Sequence, residues 1–475
     1  MTGEPGSGLP ENTAVRGGKD ACPAQLARRA ELVPYIVGAA VLVHTIDATA
    51  IAIALPDMAK DFHVDPVTAS MAITAYFIGM ALTVPAGGWL GDRFGGRNVL
   101  RVAIVILIAA SLVCAAAPSL TILVVARFVS GLVSSSILPV ARLMTVRSAL
   151  PGRTMQAVTT FATVGVMGPL LGPVISGTLV ALLSWRAIFV AIALLGVMAI
   201  VAITWGSDDD CQPNTSALDV RGLAICGSGL ACLVAGMESL GHEETLRLGL
   251  GLMVAGAVLL AALAAHARRV PNPLIRLDLL RRPLLTISIL SDFPIRMAIT
   301  AGPMLISLLL QVGLQHGAFV SGLLLLTPAM GNLGLKPVLA LGARTLGVPV
   351  TMAIGGVVGS VAFASLVLMM PGSSLVLVAV PLIVFGLGRS MVVSGGTVLS
   401  FVGMAAEDMG PATGLSSIFQ QISSVMGVAV AALLLRLFAD GALDLAAIRS
   451  VVLVMAGIGL LSMVALLARS ADAAA

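Results

Sequence analysis

Asp292 and Arg296 stand four residues apart in LLTISILSDFPIRMAIT (284–300), a stretch that is apolar almost throughout. Three further charges lie in equally oily surroundings: Asp47, Arg127 and Arg389. His44 precedes Asp47 by one helical turn, on the same face. A charge at mid-bilayer costs about 2.5–3.5 kcal/mol by insertion scales, so such residues are rare in spanning segments and mark ion or substrate pathways. A carboxylate bordering a partly dry cavity can take up and release protons. Arginine forks grip carboxylates and phosphates. Asp47 is therefore the first candidate for proton coupling, with Asp292 second and His44 beside it. Arg127, Arg296 and Arg389 are the candidate substrate-binding groups.

Each has a structural alternative. Asp292 and Arg296 could form a neutral pair that only locks packing. Asp47 could be a polar fixture of a bundle, Arg127 a clamp on neighbouring carbonyls, and His44 a satisfied core histidine. Pro294, between the acid and the base, can loosen its helix and free carbonyls for a cavity.

The elements that must carry these residues are membrane helices. The chain has 475 residues, 58% of them hydrophobic and 11% charged, with mean hydropathy +1.06. A soluble domain is about 25% charged. Apolar runs of about 20 residues recur, the length that crosses a bilayer as a helix. Strand-type alternation is absent, which leaves an all-α polytopic membrane protein. Fourteen spans are predicted, near 34–55, 69–90, 99–117, 120–141, 157–182, 187–205, 222–240, 248–266, 284–311, 318–341, 349–369, 374–397, 412–435 and 448–468. With a cytoplasmic N-terminus, 19 of the 27 Lys and Arg fall on the inner side, five on the outer and three inside spans. That bias places both termini in the cytoplasm. Glu238 reads as interfacial, and the polar first 32 residues as a disordered tail.

Other chemistries lack their signatures. The five cysteines have no metal or CxxC spacing and imply no disulfide. Five scattered histidines form no catalytic constellation, no Walker loop is present and no rings of charge suggest a channel. The reading is of a non-enzyme with no cofactor and no metal. The net charge of +4 is a topology signal and not one for nucleic acid. The 22 methionines read as gap-fillers.

GGWLGDRFGGRNVL, after the second span, sets Gly88, Asp92, Arg93, Gly95 and Arg97 at an inner hairpin. Its glycines permit a tight turn. Its acid and bases could pair across helix ends and part on rocking, as a conformational latch; an ordinary basic loop is the alternative. This stretch resembles the signature loop of the major facilitator superfamily, G-x-L-x-D-R-x-G-R-R/K, with Gly96 at the penultimate basic position. IDATAIAIALP (46–56) resembles LDxTIVNVALP of the fourteen-span drug:proton antiporter branch, the EmrB/QacA type, with Ala52 in place of its Asn. ARFVSGLVSSSILP (126–139) resembles the fourth-span motif. GVMGPLLGPVISG (165–177) resembles the fifth-span antiporter motif GxxxGPxxGG through Gly168, Pro169 and Gly172, with Gly165 one place late and Pro173 at the last position. SWRAIF (184–189) and LLQVGLQHGAFVSGLLLLTP (309–328) match in order. The Gly165, Gly168 and Gly172 stripe also suits tight helix packing.

The resemblance implies a major facilitator fold of two six-helix halves, 33–206 and 284–469. Two inserted helices and a basic loop (207–283) lie between them, and tails at 1–32 and 470–475 are cytoplasmic. LALGARTLG (339–347) sits where a worn second copy of the signature loop would fall. In the family fold, spans 1, 4, 9 and 12 help line the cavity, and the buried charges fall on those four. The function implied is proton-coupled export of small organic compounds by alternating access, in a bacterial-type inner membrane. Three arginines against two carboxylates, with only 4% aromatics, lean toward anionic or zwitterionic substrates. The alternatives are a proton-coupled uptake symporter and an efflux pump for lipophilic cations. The expected partners are substrate, protons and lipid; the sequence has no signature for or against a periplasmic adaptor.

Overall fold

The computed structural model describes residues 23–83, 86–149, 153–206, 219–239, 246–270, 277–334, 345–401, 406–439 and 443–472. Among these the chain is helical, without strands. In lipid every backbone N–H and C=O must be satisfied within its own segment, and uninterrupted apolar runs meet that demand as helices.

The first half begins with α1 (Pro23–Asp61). The predicted second span is divided into α2 (Pro66–Ala69), α3 (Met71–Thr83) and α4 (Gly87–Phe94). Asp65 caps α2, accepting from the Thr68 N–H at 2.8 Å. Partial burial works to raise the pKa of Asp65, but its hydrogen bonds from Thr68 and the nearby Arg436 outweigh that and hold it below the ordinary value. α5 (Gly96–Ala115), α6 (Leu120–Ser148), α7 (Thr154–Leu182) and α8 (Arg186–Gly206) complete this half. α9 (Val220–Ser239) and α10 (Leu246–Ala267) pack on each other, and α9 also touches α3.

The second half comprises α11 (Pro283–Leu308), α12 (Ala318–Gly334), α13 (Val348–Ser365), α14 (Leu375–Phe401), α15 (Ala406–Phe438) and α16 (Leu445–Asp472). α11 packs on α14, α15 and α16, and α13 on α14 and α16. The halves meet where α7 packs on α12 and α3 on α15. Pro294 does not break α11. The Ser423 hydroxyl donates to the Phe293 carbonyl beside it.

Among the described residues, 11 helices are long and apolar enough to cross a membrane. Three shorter apolar helices, Pro66–Met80, Ala318–Gly331 and Ile422–Phe438, fall on the second, tenth and thirteenth predicted spans. The count is compatible with fourteen. Of the predicted disordered tail 1–32, residues 1–22 lie outside the described residues and 23–32 are instead helical, opening α1. Residues 339–344 of the worn copy (339–347) and the Glu238 side chain also lie outside the described residues.

The signature stretch forms the tight hairpin that its glycines suggest. It stays helical through Phe94, and the chain reverses at Gly95 alone, with φ 81°. The reversal needs a left-handed residue, and glycine takes that conformation at no steric cost.

Candidate functional site

Between the halves lies a cavity of about 330 Å³, in the size range of small-molecule sites. α1 contributes Ala48, Thr49 and Ala52, α3 Ile73 and Phe77, and α7 Pro169 and Pro173. α11, α12, α14 and α15 complete the wall. Among the described residues, two charged side chains reach it, Arg296 and Arg389, and no carboxylate does. Thr300, Ser390, Ser394 and Ser424 add hydroxyls, while Phe77 and Phe385 add apolar surface.

Asp292 and Arg296 share a face of α11, one turn apart. Arg296 donates from Nε to Asp292 Oδ2 at 2.7 Å and from Nη2 to Oδ1 at 3.2 Å, a two-pronged pair. The pair is neutral as a unit. Asp292 is buried and does not line the cavity. Arg389 makes no ion pair among the described residues and lies near enough to Arg296 for their like charges to act on each other. Among the described residues the cavity wall therefore carries about one uncompensated positive charge, at Arg389.

Asp47 and Arg127 form a second pair, in the first half. Arg127 donates from Nη1 to Asp47 Oδ1 at 2.6 Å and from Nη2 to the Asp47 carbonyl at 3.3 Å. Both side chains are buried, and neither lines the cavity. The Arg127 guanidinium lies 4.3 Å from the Tyr76 ring centre, a cation–π contact. The Tyr76 hydroxyl pairs with His44 Nδ1 at 3.1 Å. The structure thus joins His44, Tyr76, Arg127 and Asp47 in one cluster. Asp47 Oδ2 has no hydrogen-bond partner among the described residues.

The glycine stripe packs α7 directly on α1. A side chain at Gly168 would overlap the Thr45 hydroxyl, and one at Gly172 the Thr49 hydroxyl. A Cβ at Gly165 would stand 3.3 Å from Val41. Ser176 donates to the Ala50 carbonyl at 2.6 Å, one turn further along. This seating holds α1 against α7 where Asp47 and the cavity-lining Thr49 emerge. In the signature stretch, Arg97 donates to the Thr204 carbonyl at the end of α8. Arg93 is exposed. The side chain of Asp92 and the surroundings of Gly88 lie outside the described residues.

Residues 37–428 match the model of the Major Facilitator Superfamily. The chain belongs to the major facilitator superfamily. An MdtD-type multidrug resistance protein of Enterobacter sp. is 32% identical over 417 residues, covering 85% of this chain and 86% of the relative. The HsrA transport protein of Haemophilus influenzae is 27% identical over 405 residues, covering 85% and 87%. The fold also resembles two solved structures: a POT family transporter in complex with 5-aminolevulinic acid, and a peptide transporter POT in complex with sulfate. Their TM-scores are 0.71 and 0.70 at 14% and 15% identity, covering 94% and 95% of this chain and 96% and 99% of theirs. The protein is a multi-pass membrane transporter of a family that includes multidrug resistance proteins.

At one end of this facilitator's cavity the halves meet along a seam. Gln311 Nε2 donates to the Ile53 carbonyl at 2.9 Å. Arg436 reaches Thr68 at 3.5 Å. Gly177 of α7 and Gly322 of α12 let two backbones touch, since a Cβ at Gly177 would stand 2.6 Å from the Ala318 carbonyl. On every helix involved, the seam residue lies beyond the cavity residues toward the same end of the bundle. Gln311 sits in a π-turn, Leu309–Gly313, a distortion often found at functional positions. The sequence reading quoted its motif and missed its role. Tyr76 was missed as well; it is one of only two tyrosines in the chain.

Proposed function

We propose that the protein is a proton-driven exporter of small organic anions or zwitterions, working by alternating access with both termini cytoplasmic. One observation carries the substrate class: a cavity wall that, among the described residues, holds Arg296 and Arg389 and no carboxylate. With Arg296 occupied by Asp292, Arg389 is the anchor for a single anionic group. Charge-assisted bonds to such a group are worth about 1.5–3 kcal/mol each. The serine and threonine hydroxyls supply further donors, and Phe77 and Phe385 face the substrate's apolar part.

Proton coupling is assigned to Asp47. Protonation from outside neutralises Asp47 and loosens its hold on Arg127, which frees α1 to shift against α6. Deprotonation toward the inside restores the pair. The seam at Gln311 and Gly177 is the outer gate on the predicted orientation, and the latch at Asp92 and Arg93 is the inner one.

A second reading is favoured by the two-pronged Asp292–Arg296 pair. A proton on Asp292 frees Arg296 for an anion, so proton and anion bind together at that site. That linkage is the sign of a symporter. Everted membrane vesicles with an imposed pH gradient separate the readings, using a fluorescent aryl carboxylate and a quaternary ammonium dye. Export predicts that the everted vesicles accumulate the carboxylate when their interior is acid, and that Asp47→Asn abolishes this with normal insertion. Accumulation only under the reverse gradient establishes symport. Transport of the dye alone makes the protein a pump for lipophilic cations.

A further inference from the structure

Asp292 lines a second hollow besides meeting Arg296. This notch lies between α11, α14 and α15 and is walled by Ser288, Asp292, Gly396, Ser416 and Gln420 with three apolar neighbours; none of its residues lines the cavity. It offers about 10 Å³ to water centres, room for about one water molecule. A buried water needs two to four polar partners. The polar groups that line the notch for such a water are the Asp292 carboxylate, the Gln420 side chain and the Ser416 hydroxyl. Ser416 is 8% exposed, and its hydroxyl has no partner among the described residues. Ser288 donates to the Gly396 carbonyl at 2.9 Å and holds that wall in place.

The notch also has a direction. Asp292 lies two to three turns from the start of α11, Ser416 about three turns from the start of α15, and Gly396 near the finish of α14. Those three helix ends share one end of the bundle, opposite the seam.

We propose that the notch binds one water that passes protons between Asp292 and the end of the bundle opposite the seam, by a route separate from the substrate cavity. The inference rests on the reading of Asp292 as a proton-coupling group. In the step, a hydronium in the notch gives its proton to a carboxylate oxygen of Asp292. One O–H bond breaks and one forms, a water stays in the notch, and no electrons change hands. The Arg296 guanidinium keeps its charge and loses its counter-charge.

The charged groups around Asp292 are few. Arg296 is on its own helix and Arg389 on α14. α12 and α13 carry none. Asp278, Arg281 and Arg282 are exposed in the turn before α11. On α16, Arg449 is at the far end, bonded to the Met369 carbonyl, while Arg469 and Asp472, at the near end, have side chains outside the described residues. On α1, Asp47 is held by Arg127. Glu407 and Asp408, in the first turn of α15, have side chains outside the described residues.

Gly396 allows a mild plug. An added Cβ would stand 3.6 Å from Asp292 Oδ1 and 3.7 Å from the Met352 methyl, both ordinary contacts, so Gly396→Ala fits without strain. The test is a pH jump on the full chain in lipid, followed by infrared absorption of the protonated carboxyl that Asp292→Asn removes. Gly396→Ala and Ser416→Ala are expected to slow the rise of that band several-fold without changing its final height. Gly396→Ser, which brings a hydroxyl with its bulk, is expected to recover part of the rate. Unchanged rates in both alanine variants overturn the route. Absence at every pH of a band sensitive to Asp292→Asn also overturns it, while leaving export coupled through Asp47 to stand or fall on Asp47→Asn transport.

Discussion

Arg127 Nη1 lies 2.6 Å from Asp47 Oδ1, across 80 residues of sequence and with both side chains 1% exposed or less. Removing one member of such a pair strands the other charge in a dry site, at a cost of about 3–5 kcal/mol, whereas replacing both by apolar groups is often neutral. Arg127→Leu is therefore expected to lower the yield and thermal stability of the purified protein sharply. The double variant Arg127→Leu with Asp47→Leu is expected to recover most of the stability and none of the proton-driven transport. Equal stability of wild type and Arg127→Leu, read by thermal unfolding in detergent, counts against the pair as a buried charge couple.

Gly168 accepts no side chain while Thr45 keeps its place. Overpacking a well-filled contact costs about 1–3 kcal/mol. Gly168→Ala is expected to lower the unfolding temperature and slow transport, and Thr45→Ala in the same chain to restore part of both. Gly165→Ala, with 3.3 Å to Val41, is expected to be much milder.

Gly95 holds φ at 81° while buried. Backbone conformations of this kind cost a non-glycine residue about 1–3 kcal/mol. Gly95→Ala is expected to destabilise the protein by about that amount, measured by thermal unfolding, even though no ion pair is touched.

Gln311 ties the halves through one bond to the Ile53 carbonyl. A net hydrogen bond is worth about 0.5–1.5 kcal/mol. Gln311→Ala is expected to raise the share of molecules open at the seam by about 2- to 13-fold. The readout is maleimide labelling from outside of Ala52→Cys, on the cavity wall, in a chain otherwise free of cysteine. No gain in labelling means that the glycine contact, and not Gln311, governs the seam.

Much of this architecture is legible in the chain because lipid leaves so few choices. Apolar runs, the Lys and Arg bias and the motif order led to a polytopic helical facilitator. The identity of the special residues was legible too, since charges in oil announce themselves. The pairing of Asp292 with Arg296 was open as an alternative, but that of Asp47 with Arg127, and which groups reach the cavity, were not legible. Asp292 and Arg296 read as one face turned to substrate, yet only Arg296 reaches the cavity wall. Asp47 and Arg127 read as separate groups on two spans, yet they hold each other. A helix apolar on all sides carries no periodic signal for its rotation, so a face cannot be aimed from sequence. Gln311 and Gly95 sat inside quoted motifs, but a hydrogen bond to a distant carbonyl and a single positive φ leave no mark in composition.

The central claim is that Arg389 makes the cavity a receptor for one negative charge. Proteoliposomes loaded with a fluorescent aryl carboxylate, or with its uncharged primary amide of nearly equal size, test it in wild type and Arg389→Gln. The account predicts that wild type carries the carboxylate and discriminates against the amide by about 10- to 100-fold, and that Arg389→Gln loses this preference while keeping its fold. Equal transport of acid and amide by wild type, or an undiminished preference in Arg389→Gln, would contradict it.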